Sequence, residues 1–192
     1  MLSKRQQQII NESINIIDEK GIQGLTIKNL SKAIGISEPG IYRHFESKTA
    51  ILTTILENFK EMALGLAGIM KTYNTSAIEK MKFMFTQLFE VFSENPSFVS
   101  VIFSEEIFKN EEILKNKIAE ILNLNTQTIE NFIVEGQKEK NVRNDIDAKS
   151  LTLLTMGSLR LLVKKWDLNN HNFDLSKEGT VLIEVLSKVL SK

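Results

Sequence analysis

Residues 26–48, TIKNLSKAIGISEPGIYRHFESK, constrain the chain more than any other stretch, because they read as two short helices joined by a tight turn. Thr26 is placed to N-cap the first helix, in which Ile27, Leu30, Ala33 and Ile34 recur at helical spacing over 27–34. Gly35 follows where a left-handed backbone is cheap, and Ser37 is placed to cap the second helix. In that second helix, expected over 38–45, Ile41 and Phe45 point inward one turn apart. Glu38, Pro39, Gly40, Tyr42, Arg43 and His44 are left outside or at the rim. An outward face with two rings and an arginine, on barely two turns of helix, suits a nucleic-acid groove better than bulk water.

The rest also reads as helix. With two prolines and no alternating run of β-branched residues, no strand is expected. Ile10, Ile14 and Ile17 share a face of a first helix over 3–20, which Gly21 and Gly24 end. Ser47 is placed to cap a long helix to about Thr72, and a fifth over 75–94 stops at Asn95-Pro96. A short helix at 97–104, a long one near 110–140, one at 148–166 capped by Asp145 or Asp147, and a last one at 175–191 complete nine. The segment 168–172 reads as a loop. No repeat or low-complexity linker interrupts this pattern, so the N-terminal unit is expected to dock on the fourth helix.

Composition narrows the chemistry. The absence of cysteine excludes disulfides and thiolate metal sites. With only His44 and His171, no glycine-rich phosphate loop and no metal-ligand or triad spacing, no catalytic residue, metal or cofactor is expected. No N-terminal signal pattern precedes the first helix, and Arg160 breaks the best apolar stretch, so a cytoplasmic protein without a membrane span is expected. Net charge is zero. Residues 1–50 nevertheless carry seven Lys or Arg against five acids, and a local basic strip suffices for phosphate binding.

Thr26, Leu30, the Gly35-Ile36-Ser37 turn, the run Ile41-Tyr42-Arg43-His44-Phe45 and Ser47-Lys48 resemble the DNA-binding helix-turn-helix of the TetR/AcrR family of bacterial transcriptional regulators. Three departures stand out. Asn29 replaces the Glu or Gln that would complete a capping box with Thr26, Pro39-Gly40 lowers the helicity of the recognition helix, and Glu38 brings a carboxylate near phosphates. The resemblance implies an all-α fold with an N-terminal three-helix unit and a six-helix body. It divides the chain into a DNA-binding domain, 1–47, and a ligand-binding and dimerisation domain, 48–192. It also implies a homodimeric, nucleoid-associated repressor that a small apolar or amphipathic ligand releases from a palindromic operator in double-stranded DNA. An inducer-independent architectural DNA-binding protein, acting through a protein partner, is the alternative; a body without a pocket would favour it.

Within the motif, the resemblance makes Tyr42 and His44 a phosphate-contacting pair, which phenol and imidazole donors suit. Lys48 stands at the start of the fourth helix, where its charge and free backbone N–H groups are able to share a phosphate, and Thr26 is placed to do the same at the other end. Lys28 reaches either a phosphate or a guanine edge, or is simply solvated. Arg43 is the candidate for bidentate guanine reading. Glu38 either accepts from cytosine N4 or pairs with Arg43 or a nearby lysine. Gly40 either permits close backbone approach or is a neutral exposed position. Ser37 and Pro39 complete the expected DNA-facing set.

Nine of the eleven phenylalanines fall between Phe59 and Phe132, among several methionines. Such soft, bulky groups line either a plain core or, as the resemblance implies, a ligand pocket. The pocket candidates are Met62, Leu66, Met70, Phe89, Phe92, Phe103, Phe132, Met156 and Arg160. Gly65 and Gly68 each cost about 1 kcal/mol in a helix interior, which making room for a ligand would explain. Arg160 anchors a ligand's anionic group, or snorkels, or pairs with Glu184. The last two helices are apolar on more than one face, which calls for a core and a partner. Leu154, Gly157, Ser158, Leu161, Val181 and Val185 are the expected dimer face.

Overall fold

The computed structural model describes residues 2–103 and 111–192. These hold nine helices and no strand: α1 (Lys4–Gly24), α2 (Ile27–Ile34), α3 (Glu38–Tyr42), α4 (Lys48–Thr72), α5 (Ala77–Glu94), α6 (Pro96–Ile102), α7 (Glu112–Lys138), α8 (Ala148–Leu168) and α9 (Leu175–Leu190). Phe108, counted above with the central phenylalanines, lies outside the described residues. Two compact units emerge, Met1–Glu61 with Pro96–Glu120, and Met62–Asn95 with Ile121–Lys192.

Helix ends follow local chemistry. Ser3 and Gln6 form a reciprocal capping box at the start of α1. Past residue 20 the chain does not leave the helix for good. Gly21, at φ 66°, breaks α1, and a further turn continues to Gly24. Ser76, Asp147 and Asp174 cap α5, α8 and α9 through their side-chain oxygens. Asn95 ends α5 as expected, but Pro96 does not prolong the break. It opens α6 at once, because proline's missing N–H costs nothing in a first turn.

The first unit is built on α1. Ile9, Ile10, Ile16 and Ile17 are buried, while Ile14 is only half-buried. They share a core with Leu30, Ile41 and Phe45, and with Ile51, Leu52, Ile55, Leu56 and Phe59 from the first half of α4. The short α6 packs on α1 and adds Val99. Phe98 meets Phe59 with ring centroids 6.1 Å apart. A closed ring of charge ties α4 to the start of α7. Lys60 bonds both Glu57 and Glu120 (3.0 Å), and Lys117 bonds Glu57 and Glu120, each at 2.8 Å.

In the second unit α9 packs on both α5 and α8. Gly179 of α9 lies directly on the Phe89 ring, which a Cβ there would overlap. Lys80 of α5 is buried, with Nζ 2.7 Å from Glu135 of α7 and 5.8 Å from the centre of the Phe132 ring. Trp166 donates its indole N–H to the Phe173 carbonyl at 2.9 Å, which closes the α8–α9 connection. Among the described residues no helix is long and apolar enough to cross a membrane.

The charge ring gives stability a pH signature. Hydrogen bonds from Lys117 and then Lys60 hold the Glu57 and Glu120 carboxyls below their ordinary value of 4.5. They therefore stabilise the fold above that value, and the effect is lost as pH falls through the depressed folded values. The ammoniums act in the opposite sense. Carboxylate partners, Glu57 first for Lys60 and Glu120 first for Lys117, hold both above 10.5, so their contribution disappears only as pH rises through the raised values. All four groups are in contact with water, so the effect is small and screened by salt. Glu120→Gln is expected to leave a shallower fall in melting temperature below about pH 4.5. The difference from wild type is expected to vanish near 1 M salt, and melting curves across pH at two ionic strengths measure it. An unchanged acid limb at low salt would show that the ring contributes nothing.

Candidate nucleic-acid interface

The helix-turn-helix forms within the first unit. Thr26 Oγ1 accepts the Asn29 N–H at 3.0 Å and so caps α2. Asn29 closes no capping box; its amide donates instead to the Gly24 carbonyl at 2.8 Å, which holds the α1 end beside the start of α2. Of the expected apolar stripe in α2 only Leu30 is fully buried; Ile27 and Ile34 are half-buried and Ala33 is exposed. Gly35, at φ 77° and ψ 32°, ends α2. Its N–H and that of Ile36 both donate to the Ser31 carbonyl at 3.0 Å.

Ser37 Oγ accepts the Gly40 N–H at 3.2 Å and caps α3. The helix is shorter than expected: α3 ends at Tyr42, not 45. The Ile41 carbonyl receives both the His44 N–H (2.9 Å) and the Phe45 N–H (3.1 Å), so the last turn unwinds toward a tighter helix. Ile41 and Phe45 are buried as the spacing predicts. Ser37, Glu38, Pro39, Tyr42 and Arg43 are exposed, and Gly40 and His44 are half-buried. A Cβ at Gly40 would meet Ser37 Oγ at 3.4 Å and Ile36 at 3.5 Å, ordinary contacts, so folding does not demand glycine there. Among the described residues neither Glu38, Arg43 nor Lys28 forms an ion pair, which leaves the exposed side chains of α3 and Lys28 uncommitted.

Lys48 differs from the expectation of a free cation. Its Nζ donates to the Ile22 carbonyl at 2.9 Å, half-buried against the last turn of α1. Burial pushes its ammonium below the ordinary lysine value. Two N–H donors remain beyond that bond. Ser47, one residue earlier, caps α4 by accepting the Ala50 N–H at 3.0 Å. Thr26, Lys28, the outward face of α3 and Lys48 are thus carried on one core, with Tyr42 half-exposed beside Arg43.

The body residues divide differently. In the second unit Met70, Phe89, Phe92 and Phe132 are buried, Met62, Leu66 and Met156 are half-buried, and Arg160 is exposed on α8. Phe103 is buried in the first unit. Phe89, pressed on Gly179, and Phe132, beneath Lys80, have packing reasons of their own. Gly65 and Gly68 are exposed with open space around them. On α8, Leu151, Thr155, Leu159 and Val163 are buried, while Leu154, Gly157 and Leu161 form a separate exposed stripe. Leu161 is 71% exposed, and Val181 and Val185 of α9 are 53% and 51% exposed. Ser158 is half-buried and returns its hydroxyl to the Leu154 carbonyl at 2.7 Å. Among the described residues no group of acids and histidines is placed to hold a metal ion.

Known proteins share this arrangement. Residues 9–55 match the family described as bacterial regulatory proteins, tetR family, and residues 65–188 match the YsiA-like protein, C-terminal region. The nucleoid occlusion factor SlmA of Actinobacillus pleuropneumoniae serotype 5b (strain L20) is 26% identical over 119 residues, which cover 62% of this chain and 59% of that protein. Among solved structures, the fatty acid degradation regulator FadR from Bacillus halodurans is similar with a TM-score of 0.84 and 20% identity, over 97% of this chain and 96% of that one. The transcriptional regulator FadR from Bacillus subtilis, in complex with stearoyl-CoA, is similar with a TM-score of 0.80 and 22% identity, over 94% and 97%. The helix-turn-helix match at one end and the regulatory match over most of the remainder leave one assignment: the chain belongs to the TetR family of bacterial regulatory proteins.

Proposed function

We propose that this protein is a ligand-responsive, dimeric DNA-binding transcriptional regulator and not an enzyme: a repressor released from a palindromic operator by an amphipathic ligand. The observation that carries the reading is the outward face of α3. Tyr42 and Arg43 are exposed with no ion pair among the described residues, on a helix fixed from behind by Ile41. In this reading residues 1–47 bind DNA and 48–192 bind ligand and partner. Tyr42, His44, Thr26 and the two remaining donors of Lys48 contact phosphates, Lys28 contacts a phosphate or guanine, and Arg43 reads guanine. Ser37, Pro39 and Gly40 let the start of α3 approach the groove, and Glu38 accepts from cytosine. The dimer forms on the exposed stripe of Leu154, Gly157 and Leu161, with the half-buried Ser158 and with Val181 and Val185 of α9. Two copies then present paired recognition helices to half-sites about one helical turn, roughly 34 Å, or a multiple apart.

The likeness to a FadR structure that holds stearoyl-CoA supports a ligand with a long apolar chain and an anionic head, seated in the second unit among Met62, Leu66, Met70, Phe89, Phe92, Phe132, Met156 and Arg160. Ligand favours one arrangement of the paired recognition helices and DNA another, so each weakens binding of the other. The likeness to SlmA, a nucleoid occlusion factor, spans only 59% of that protein and fits the second reading, an architectural factor that needs no inducer, less well.

Selection of random duplexes by the purified protein, at near-physiological salt, tests the reading. A palindromic consensus is expected; enrichment without any consensus would favour the architectural alternative. On the selected duplex, Arg43→Ala is expected to relax preference at one position per half-site by ~1–3 kcal/mol. A loss that is uniform over all sequences would make Arg43 a backbone contact. Leu161→Arg is expected to yield monomers in sedimentation and to abolish operator binding, and a variant that still sediments as a dimer would refute the proposed face. Stearoyl-CoA is expected to lower affinity for the selected duplex and raise the melting temperature of the free protein. Unchanged affinity and melting at ligand concentrations well above the protein's would reject that ligand class.

A further inference from the structure

The start of α1 is hydrogen-bonded to the end of the recognition helix through one side chain. Gln6 is half-buried, and its amide works in two directions. Oε1 accepts the Ser3 N–H at 3.0 Å, while Ser3 Oγ accepts the Gln6 N–H at 3.2 Å, which closes the α1 capping box. A backbone N–H only donates, so the oxygen is assigned to Ser3 and the nitrogen faces the other way. There Nε2 lies 3.4 Å from the carbonyl oxygen of His44, 38 residues along the chain. That carbonyl stands two residues past the end of α3, next to its C-cap Arg43. The residues immediately before it, Tyr42 and Arg43, are the exposed ones, and Phe45 immediately after is buried.

We propose that Gln6 is a positioning residue for DNA recognition, holding the His44 carbonyl so that the five-residue α3 keeps its orientation in the groove. The inference rests on the DNA-binding reading above. Gln6 itself touches no base; it acts through the backbone of His44. A neutral amide bond of this length adds little to global stability. Its effect belongs instead in discrimination between sequences, because bidentate base contacts depend on the angle of the helix.

Two variants separate positioning from capping. Gln6→Glu keeps an oxygen for the Ser3 N–H and thus the capping box, but has no donor for His44. Gln6→Met keeps the length, adds no charge and loses both bonds. For wild type and each variant, affinity is measured for the duplex that wild type selects and for an unselected duplex of equal length, with the melting temperature and the His44 carbonyl carbon resonance. The ratio of the two affinities cancels the negative charge that Gln6→Glu introduces near phosphates.

Both variants are expected to lose about tenfold in that ratio, the scale of one weakened base contact. Gln6→Glu is expected to melt with wild type, and the His44 carbonyl resonance to move in both. Ratios within about twofold of wild type in both variants would overturn the proposal. A loss in Gln6→Met alone, tracking a lower melting temperature, would also overturn it, because the cap would then explain everything. A wild-type protein that prefers no duplex at all would defeat the DNA-binding reading itself, an outcome distinct from variants that discriminate as well as wild type.

Discussion

Burial of Ile41 is the contact on which the outward surface of α3 depends. It projects from a helix of five residues and is fully buried, with Leu30 of α2 equally buried and Phe45 nearly so. Neither α2, of eight residues, nor α3 is long enough to persist alone, because nucleation costs more than so few hydrogen bonds return. Removing each of these side chains from water contributes about 1.5–3 kcal/mol. That is enough to hold α2 on α1 and α3 on α2. The outward direction of Glu38, Pro39, Tyr42 and Arg43 then follows from the inward direction of Ile41.

The rest of the first unit steadies that platform by polar means. Asn29 ties α2 to Gly24, Lys48 ties α4 to Ile22, and the Glu57-Lys60-Lys117-Glu120 ring ties α4 to α7. The second unit relies on close apolar packing, as where the Phe89 ring lies on Gly179 and Val142 lies against Gly136. Its α8 accommodates Thr152 and Thr155 inside the core by returning each hydroxyl to the carbonyl four residues earlier. That leaves the leucines at 154 and 161 for the opposite face.

Helices with strong terminal signals were legible in advance. α2 runs over 27–34 as read from the sequence, because Thr26 and Gly35 mark its two ends by side-chain chemistry and left-handed backbone. Ser47 and the inward pair Ile41 and Phe45 were equally plain, while of the two aspartates offered for α8 the structure uses Asp147. Where the signal was a gradual loss of hydrogen bonding, the reading overshot: α3 unwinds after Tyr42 because one carbonyl is shared by two donors. The bond of Lys48 to Ile22 and that of Gln6 to His44 span 26 and 38 residues, and no local pattern encodes them. Ser3 and Gln6 carried a capping signal that the polarity of the first helix obscured. Phenylalanine and methionine have the same size and polarity in a core as in a ligand pocket, so composition did not separate the two.

Taken alone, the sequence determined the helical class, the turn at Gly35, the caps at Thr26, Ser37 and Ser47 and the inward and outward faces of α3. These follow from periodicity and from side chains that bond within four residues of themselves. The tertiary structure alone decided which charges are spent and which stay available. It tied Lys48 to a carbonyl, closed Lys60 and Lys117 into a ring with two glutamates, and left Arg43 open. Those outcomes depend on which helices meet, because a charged group is committed only when packing brings a partner within hydrogen-bond reach, and that distance is not a property of neighbouring residues in the chain.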